Sequence, residues 1–319
     1  MSTKNSPDKS AKTAPLALIA GPTASGKSAT ALALAEALDK QGSKGVIVNA
    51  DSMQVYADIP VLSAAPDAKE LKRAEHRLYG AWDGAEPCSA ADWAARAREE
   101  IAAIHADGDV PILVGGTGMY MKVLIEGIAP IPEIDPEVRE VVRAMDTGTA
   151  YKTLLIEDPV RAAELEPGDS QRIARALEVK RSTGVTLGDW QQAKTGGIGD
   201  EVDLTAIIHT PERQWVYDRC DKRFAQMVEN GAVEEVEALL ARELSPDLPV
   251  MRAIGVPEIA AFLRDEMTKD EAIAAGAQAT RNYAKRQFTW LRNQPPTDWK
   301  RIESKNIVTE DAFASLLQN

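Results

Sequence analysis

The sequence predicts an α/β protein whose parallel sheet is flanked by helices. Helical patterns at residues 28–39 and 91–107 alternate with short apolar runs, and this alternation is typical of a parallel sheet. A G-x-x-x-x-G-K-[ST] motif follows the first run and opens the first helix. The four apolar runs that we assign to buried strands are residues 16–20, 45–50, 110–116 and 204–210. Together, these observations predict a P-loop NTPase-like sheet.

The glycine-rich loop after the first strand predicts a phosphate-binding site. Its residues are Gly21, Pro22, Thr23, Ala24, Ser25, Gly26, Lys27 and Ser28. The N–H groups of such a loop and the positive end of the following helix form a cradle for a polyanion. We expect Lys27 to reach the outer phosphate and the Ser28 hydroxyl to hold Mg²⁺. Any diphosphate satisfies these donors, so a kinase, a GTPase and a transferase acting on a diphosphate ester all stay open.

The chain also predicts a discontinuous core with a helical insertion. Residues 1–14 are polar, mildly basic and without an apolar segment, so we expect a disordered tail and no signal peptide. Residues 15–130 and 203–319 form the predicted P-loop core. Residues 131–202 show helical periodicity with almost no strand signal and form the predicted insertion. Further helices are predicted within 212–243, with a break at Asn230-Gly231, and at 255–264 and 269–293.

Composition and charge limit the possible classes. A formal net charge of −12 argues against a generally basic nucleic-acid-binding protein, although it says nothing about a local patch. The only two cysteines, Cys88 and Cys220, lie too far apart for a C-x-x-C metal site, and they fit a reducing cytoplasm. No apolar run reaches the roughly 18 residues that a membrane span needs. We therefore expect a cytoplasmic location, and we also expect a monomer.

Polar residues follow three predicted strands at the point where each ends. The glycine loop follows the first, Asp51 the second and Thr117 the third. Because the carboxyl ends of parallel strands meet at one edge, these residues should share a site. Asp51 is predicted to be a general base or a metal-linked acid, with a helix N-cap as the alternative. Thr117 offers a hydroxyl beside three glycines, although a glycine turn without a partner also explains that segment.

Basic residues cluster in two places despite the acidic total. No acidic residue occurs between Glu271 and Asp298. At about 100° per residue, Arg281, Lys285 and Arg292 fall within roughly 40° of one another on a helix, which predicts a phosphate-binding stripe that also involves Arg286. A solvated basic face is the alternative. The second cluster, inside the insertion, consists of Arg172, Arg175, Lys180 and Arg181.

Taken together, these motifs resemble the bacterial type of the tRNA dimethylallyltransferase (tRNA isopentenyltransferase) family. The resemblance covers nearly the whole chain after the tail, with the segments in family order and at family spacing. The segments are "GPTASGKS", "DSMQVY", "SAADW", "VGGTGMYMKVLIEG", "DPVRAAELEPGDSQRIARALEV", "GAVEEVEALL", "RAIG" and "AKRQFTWLRNQ".

The resemblance implies a substrate pair and roles for residues. The donor is dimethylallyl diphosphate with Mg²⁺, and the acceptor is N6 of the adenosine immediately 3′ of the anticodon in tRNA. Asp51 matches the family's base, Lys27 and Thr117 assist the leaving diphosphate, and Arg213 holds the diphosphate by family position. The implied contacts to tRNA are Asp51, Ser52, Met53, Gln54, Thr117, Arg139, Gln171, Arg172, Ile173, Ala174 and Arg175, to which the stripe adds Arg281, Lys285 and Arg286.

The chain departs from the family pattern twice, and other functions stay open. The segment at 62–66, "LSAAP", has Ala65 where a lysine is common, and the segment at 253–258, "AIGVPE", lacks a common tyrosine. The alternatives are an adenylate isopentenyltransferase acting on free AMP, a P-loop small-molecule kinase, and a non-catalytic RNA-binding ATPase. The basic insertion and the acid-free helix favour tRNA as the acceptor.

Overall fold

Six strands form one parallel sheet within residues 13–317, which are the residues that the structure, a computed structural model, describes. The strands are β1 (Ala14–Ala20), β2 (Gly45–Asn49), β3 (Glu75–Arg77), β4 (Val110–Gly115), β5 (Val202–His209) and β6 (Lys300–Ile302). Their spatial order is β3-β2-β4-β1-β5-β6, and every pairing is parallel. The predicted parallel α/β sheet is confirmed. Most of the predicted tail lies outside the described residues.

The chain divides into two compact units. One unit runs to Leu124 and resumes at Ile198, and the other is Ile125–Gly197. The first holds the sheet, a short 3₁₀ turn at Val250–Arg252, and most of the helices. Its helices are α1 (Lys27–Asp39), α2 (Pro60–Ser63), α3 (Ala90–Ala106), α4 (Gly118–Glu126, which ends in the second unit), α10 (Arg213–Glu229), α11 (Ala232–Leu240), α12 (Val256–Leu263), α13 (Lys269–Asn293), α14 (Thr309–Ala312) and α15 (Ala314–Leu317).

The central strands carry the core of the first unit. Nearly all side chains of β1, β2 and β4 are buried, as continuous apolar runs require when helices cover both faces of a sheet, whereas in β5 only the last three residues are buried. Helix α1 packs on this sheet through Leu34 and Leu38, which join Ile47, Ile112 and Ile207 in one cluster. The edge strands β3 and β6 were not predicted. They have only three residues each and carry charges, which protect exposed sheet edges but give no apolar signal.

The second unit consists of five short helices around its own apolar core. The helices are α5 (Pro136–Arg143), α6 (Thr147–Glu157), α7 (Pro159–Glu164), α8 (Ser170–Thr183) and α9 (Leu187–Gln192). Each begins at a side chain that accepts a hydrogen bond from the first turn, and these caps are Asp135, Asp146, Asp158, Asp169 and Thr186. Such caps explain why a segment rich in proline and glycine divides into short helices.

Candidate active site

The P-loop closes tightly between β1 and α1. Gly26 precedes the helix with φ of 101°, a conformation that favours glycine, and Ala24 also has a positive φ of 62°. The first N–H groups of α1 have no partner within the helix, so they are free to bind an anion. Lys27 Nζ lies 3.4 Å from the carbonyl oxygen of Pro22, to which it donates. The loop therefore has the form of a phosphate cradle.

Burial and neighbouring charges change the acidity of Lys27. Burial lowers the pKa of the Lys27 ammonium to about 8, against the opposing effect of the Asp51 carboxylate, and Arg223 lowers it further. A lysine in this state loses its proton easily unless an anion arrives. A bound diphosphate would place negative charge beside this buried ammonium and favour its protonated form, which fits a site for a diphosphate.

The three predicted strand ends meet at one edge of the sheet. β4 lies between β1 and β2, and Gly21 donates its N–H to the oxygen of Gly115 at 3.2 Å. The N–H of Thr117 donates to the oxygen of Ala50 at 3.2 Å, and the Thr117 hydroxyl accepts the N–H of Ser52 at 2.9 Å. The structure thus brings the P-loop, Thr117 and the segment that begins at Asp51 together.

Asp51 starts a turn and not a helix. Its Oδ1 accepts the N–H of Met53 at 3.1 Å, and its own N–H donates to Asn49 Oδ1 at 2.8 Å. Because the next helix begins only at Pro60, the N-cap alternative does not apply. Asp51 lines a cavity of about 230 Å³ together with Ser52, Leu62, Ser63, Phe224, Met227, Tyr283 and Arg286, which we call the Asp51 cavity.

The "SAADW" segment fixes the strand end that carries Asp51. Ser89 and Asp92 form a capping box at the start of α3. The next residue, Trp93, is fully buried, donates its indole N–H to the oxygen of Asn49 at 3.0 Å, and stacks on Tyr120 with ring centres 4.5 Å apart. The motif therefore positions the end of β2, and its capping residues and Trp93 do not line the Asp51 cavity.

Two arginines of α10 reach the P-loop, and sequence analysis missed both. Arg219 Nε donates to the oxygen of Ala24 at 2.8 Å, and the Arg223 guanidinium donates to Thr23 Oγ1. Burial lowers the pKa of Arg223, while Asp51 acts in the opposite direction. Spacing of i and i+4 places the two arginines on one helix face, which is the signal that could have found them. Asp218 and Asp221, which lie before and between the two arginines, hid that signal.

A second cavity lies against the P-loop, with a volume of about 390 Å³. We call it the P-loop cavity. It is lined by Lys27, Ser28, Arg219 and Arg223, and also by Gln54, Ala65, Asp67 and Glu70. Arg223 lines both cavities. The two cavities are therefore adjacent, and Arg223 borders both the cationic residues of one and the Asp51 carboxylate of the other.

Arg213 does not line either cavity within residues 13–317. It is the first residue of α10, exposed, with its guanidinium 5.5 Å from the centre of the Phe288 ring. Arg219 and Arg223 of the same helix reach the loop, and the contact of Arg213 with the diphosphate stays a prediction.

The predicted basic stripe on α13 is divided. Arg281 donates to Asp221 of α10, so its charge is compensated, and Phe288 packs with Ala24 and Val216 instead of bordering a solvent face. Lys285 and Arg292 are exposed. Arg286 lies over the Tyr283 ring at 5.5 Å and lines the Asp51 cavity. Because α10 packs along α13, Arg281 is paired within the protein, and the phosphate-binding stripe stays a prediction for the exposed residues.

The remaining predicted RNA contacts lie in the second unit. Arg139, Gln171 and Arg172 are exposed there, while Ala174 and Arg175 are half-buried. Arg172 Nε lies 3.4 Å from a carboxylate oxygen of Asp169. Ile173 is fully buried in the core of this unit, so its side chain supports α8 and cannot contact RNA.

The structure explains the two departures from the family pattern differently. Ala65 lines the P-loop cavity, so a lysine at this position would extend towards the cradle. Val256 is only 1% exposed and belongs to the packing of α12. The first departure therefore changes the charge of the cavity, and the second changes the packing of the core.

The oxygen donors at the P-loop fit a Mg²⁺ ion that is also bound by a diphosphate. Ser28 is exposed at the second position of α1 and lines the P-loop cavity. The described residues contain no group of three His, Cys, Asp or Glu side chains that could hold a metal ion by themselves. Mg²⁺ commonly takes one or two protein oxygens and completes its shell with phosphates and water, which this donor set allows.

Within the described part of the chain, no helix is long and apolar enough to cross a membrane.

Known proteins are similar to this chain in both sequence and fold. The model of the IPP transferase family matches residues 54–294. A tRNA dimethylallyltransferase of Erythrobacter litoralis is 59% identical over 304 residues, covering 95% of this chain and 96% of that protein. One from Novosphingobium aromaticivorans is 62% identical over 278 residues, covering 87% and 99%.

Solved structures agree with these sequence relatives. The full-length tRNA isopentenylpyrophosphate transferase of Bacillus halodurans superposes with a TM-score of 0.66 at 31% identity, covering 95% of this chain and 94% of that one. A eukaryotic dimethylallyltransferase acting on tRNA gives a TM-score of 0.78 at 25% identity, covering 95% and 77%. The chain belongs to the IPP transferase family.

Proposed function

We propose that this chain transfers the dimethylallyl group of dimethylallyl diphosphate to N6 of the adenosine immediately 3′ of the anticodon in tRNA, releasing diphosphate. The observation that carries the proposal is Arg223, which lines both the P-loop cavity and the cavity that contains Asp51. An anion cradle and a candidate base are thus adjacent. The relatives named tRNA dimethylallyltransferase support this choice of donor and acceptor.

The cationic residues of the P-loop cavity act on the leaving diphosphate. As the bond between the allylic carbon and oxygen breaks, negative charge grows on the diphosphate, and fixed donors stabilise that charge. Lys27, Arg219 and Arg223 supply three such cations, and the N–H groups at the start of α1 add neutral donors. Mg²⁺, held by Ser28 and the diphosphate, would neutralise further charge.

Asp51 acts on the acceptor. An adenine amine is a weak nucleophile because its lone pair is delocalised into the ring, so a carboxylate that takes its proton as the carbon–nitrogen bond forms speeds the reaction. The Thr117 hydroxyl, which accepts the N–H of Ser52, orients the segment that carries this carboxylate. Burial and the nearby Asp51 charge raise the pKa of Tyr283, which keeps its phenol protonated and able to donate. The base must leave the stack to reach Asp51, as an anticodon loop permits.

The competing functions lack these supports. A small-molecule kinase needs only the P-loop and transfers phosphate from ATP. An adenylate isopentenyltransferase acts on free AMP and needs no RNA-facing helices. Residues 54–294 match a transferase family, and the relatives that cover almost the whole chain are named for tRNA.

We also propose a cytoplasmic location, with Cys88 and Cys220 as free thiols. The monomeric state stays a prediction.

A direct assay tests the acceptor. Purified protein is mixed with Mg²⁺, dimethylallyl diphosphate and either tRNA or AMP, and the nucleosides are analysed by mass spectrometry. We expect a prenyl group on the adenosine next to the anticodon and unmodified AMP. Prenylated AMP with unmodified tRNA would identify the cytokinin type of enzyme instead.

The acidity of Lys27 predicts a pH dependence of donor binding. Because the pKa of Lys27 is about 8, the free protein loses this charge as the pH rises through 8, and an anion must then restore the proton. We expect the Kd of inorganic pyrophosphate to rise up to about tenfold more from pH 7 to 9 in the wild type than in Lys27→Arg, which stays charged. Calorimetry at several pH values measures this. Identical profiles of the two proteins would refute the role of Lys27.

The basic residues of α13 predict how RNA binding depends on salt. Lys285 is exposed and Arg286 lines the Asp51 cavity, so the double variant Lys285→Ala, Arg286→Ala should weaken binding of an anticodon stem-loop and reduce the slope of log K against log salt by about 1 to 2. Arg281→Ala is the matched control, since Asp221 already compensates its charge. An unchanged slope in the double variant would remove these residues from the RNA interface.

A further inference from the structure

Gln287 connects two loops that lie far apart in sequence. The residue is buried, with 4% of its surface exposed. Its Oε1 accepts the N–H of Thr23 in the P-loop at 2.8 Å, and its Nε2 donates to the oxygen of Gly116, after β4, at 3.0 Å. Both ends of one buried amide are thus bound to the backbone, one on each side of the site.

The glycines after β4 make room for this contact. A Cβ on Gly116 would lie 2.2 Å from Gln287 Nε2, and a Cβ on Gly118 would lie 2.2 Å from the Trp290 ring. Both distances are far below van der Waals contact, so any side chain here would displace α13. Two glycines of "VGGTG", Gly116 and Gly118, therefore admit Gln287 and Trp290, which is a structural reason for a segment that the sequence also explained as a glycine turn without a partner.

The contact also changes which donors the cradle offers. The Thr23 N–H is already used by Gln287, and the Thr23 hydroxyl accepts from Arg223. Thr23 is therefore held by α13 through its backbone and by α10 through its side chain. The N–H groups of residues 26–28, by contrast, are at the start of α1, where no helical partner exists.

We propose that Gln287 is a positioning residue, which keeps the Thr23 N–H away from the diphosphate and fixes the P-loop relative to Gly116 and Thr117. The cradle then consists of the N–H groups at the start of α1 together with Lys27, Arg219 and Arg223. This amide adds a second link between the P-loop and the segment after β4, beside the hydrogen bond from Gly21 to Gly115. The inference deepens the proposed function, on which it rests for the identity of the diphosphate.

Hydrogen exchange of the wild-type protein tests the inference without any variant. We expect the Thr23 amide to exchange slowly both with and without inorganic pyrophosphate, and the amides of Gly26, Lys27 and Ser28 to become protected only when pyrophosphate is added. Fast exchange at Thr23 that slows on adding pyrophosphate would overturn the inference. Pyrophosphate that protects none of these amides would instead contradict the proposed function of the P-loop.

A pair of matched variants tests the consequence for binding. Gln287→Met keeps the volume of the side chain and removes both hydrogen bonds, so we expect pyrophosphate to bind about tenfold more weakly and kcat to fall, while the KM for tRNA stays within about twofold. Gln226→Met, on the exposed face of α10, is the control and should match the wild type. A folded Gln287→Met protein that binds pyrophosphate as the wild type does would overturn the inference. If Gln287→Met does not fold, the exchange experiment decides.

Discussion

Asp51→Asn is expected to slow prenyl transfer by about 10²- to 10⁴-fold, the range for loss of a general base. Asparagine keeps an oxygen that can accept the N–H of Met53, so the turn that begins at Asp51 should persist. The variant removes the negative charge of the side chain and, with it, the ability to take a proton from the adenine amine. Affinity for tRNA should therefore stay within about twofold, because the contact surface keeps its shape.

Single-turnover kinetics and stem-loop binding measure the two effects separately. Asp39→Asn is a suitable control, because this exposed carboxylate lies at the far end of α1 and its loss removes the same charge from the protein. A transfer rate of Asp51→Asn equal to that of the control would exclude proton abstraction by Asp51. A parallel loss of RNA affinity would assign Asp51 to binding and not to chemistry.

Arg223→Met is expected to lower kcat/KM for dimethylallyl diphosphate by about 10²-fold. A hydrogen bond to a charged group contributes about 1.5–3 kcal/mol, and about 1.4 kcal/mol corresponds to a tenfold change. Arg223 donates to Thr23 of the P-loop and lines both cavities. Its loss therefore removes a positive charge that would stabilise the leaving diphosphate, and it leaves Thr23 less constrained. The methionine keeps most of the side-chain volume in the Asp51 cavity, which Phe224 and Met227 also line.

The matched control for this experiment is Arg213→Met on the same helix. Arg213 is exposed and stacks on Phe288, so its loss should change kcat/KM by less than about threefold. Steady-state kinetics with varied donor and saturating tRNA provide both values. A larger loss in Arg213→Met than in Arg223→Met would contradict the arrangement described here and favour the expectation from family position.

The central strands and the common edge could be predicted because both depend on local patterns. Continuous apolar runs identified β1, β2, β4 and β5, and the helix at residues 269–293 was predicted with its observed bounds. β3 and β6 could not be predicted, because three charged or mixed residues at a sheet edge pair only when the neighbouring strand is already present. Their formation depends on tertiary contacts and leaves no periodic signal.

The candidate site was predictable only where a strand leads directly into it. Asp51 and Thr117 follow strands that lie side by side, so the rule for parallel sheets brings them together. Arg223 and Gln287 reach the P-loop from helices 200 and 264 residues along the chain from Thr23. Sequence position gives no indication of such contacts. Similarly, the charge of Arg281 could not be judged before its partner Asp221 was known.

The central claim is that the P-loop cavity binds a prenyl diphosphate, and calorimetry tests it most directly. Titrations of the wild type and of Lys27→Met with dimethylallyl diphosphate or ATP, in the presence of Mg²⁺ and a non-reactive stem-loop that lacks the acceptor amine, compare the two donors at one site. We predict that the prenyl diphosphate binds to the wild type and that Lys27→Met weakens this binding by at least about tenfold. Tight binding of ATP with no detectable binding of the prenyl diphosphate would contradict the claim.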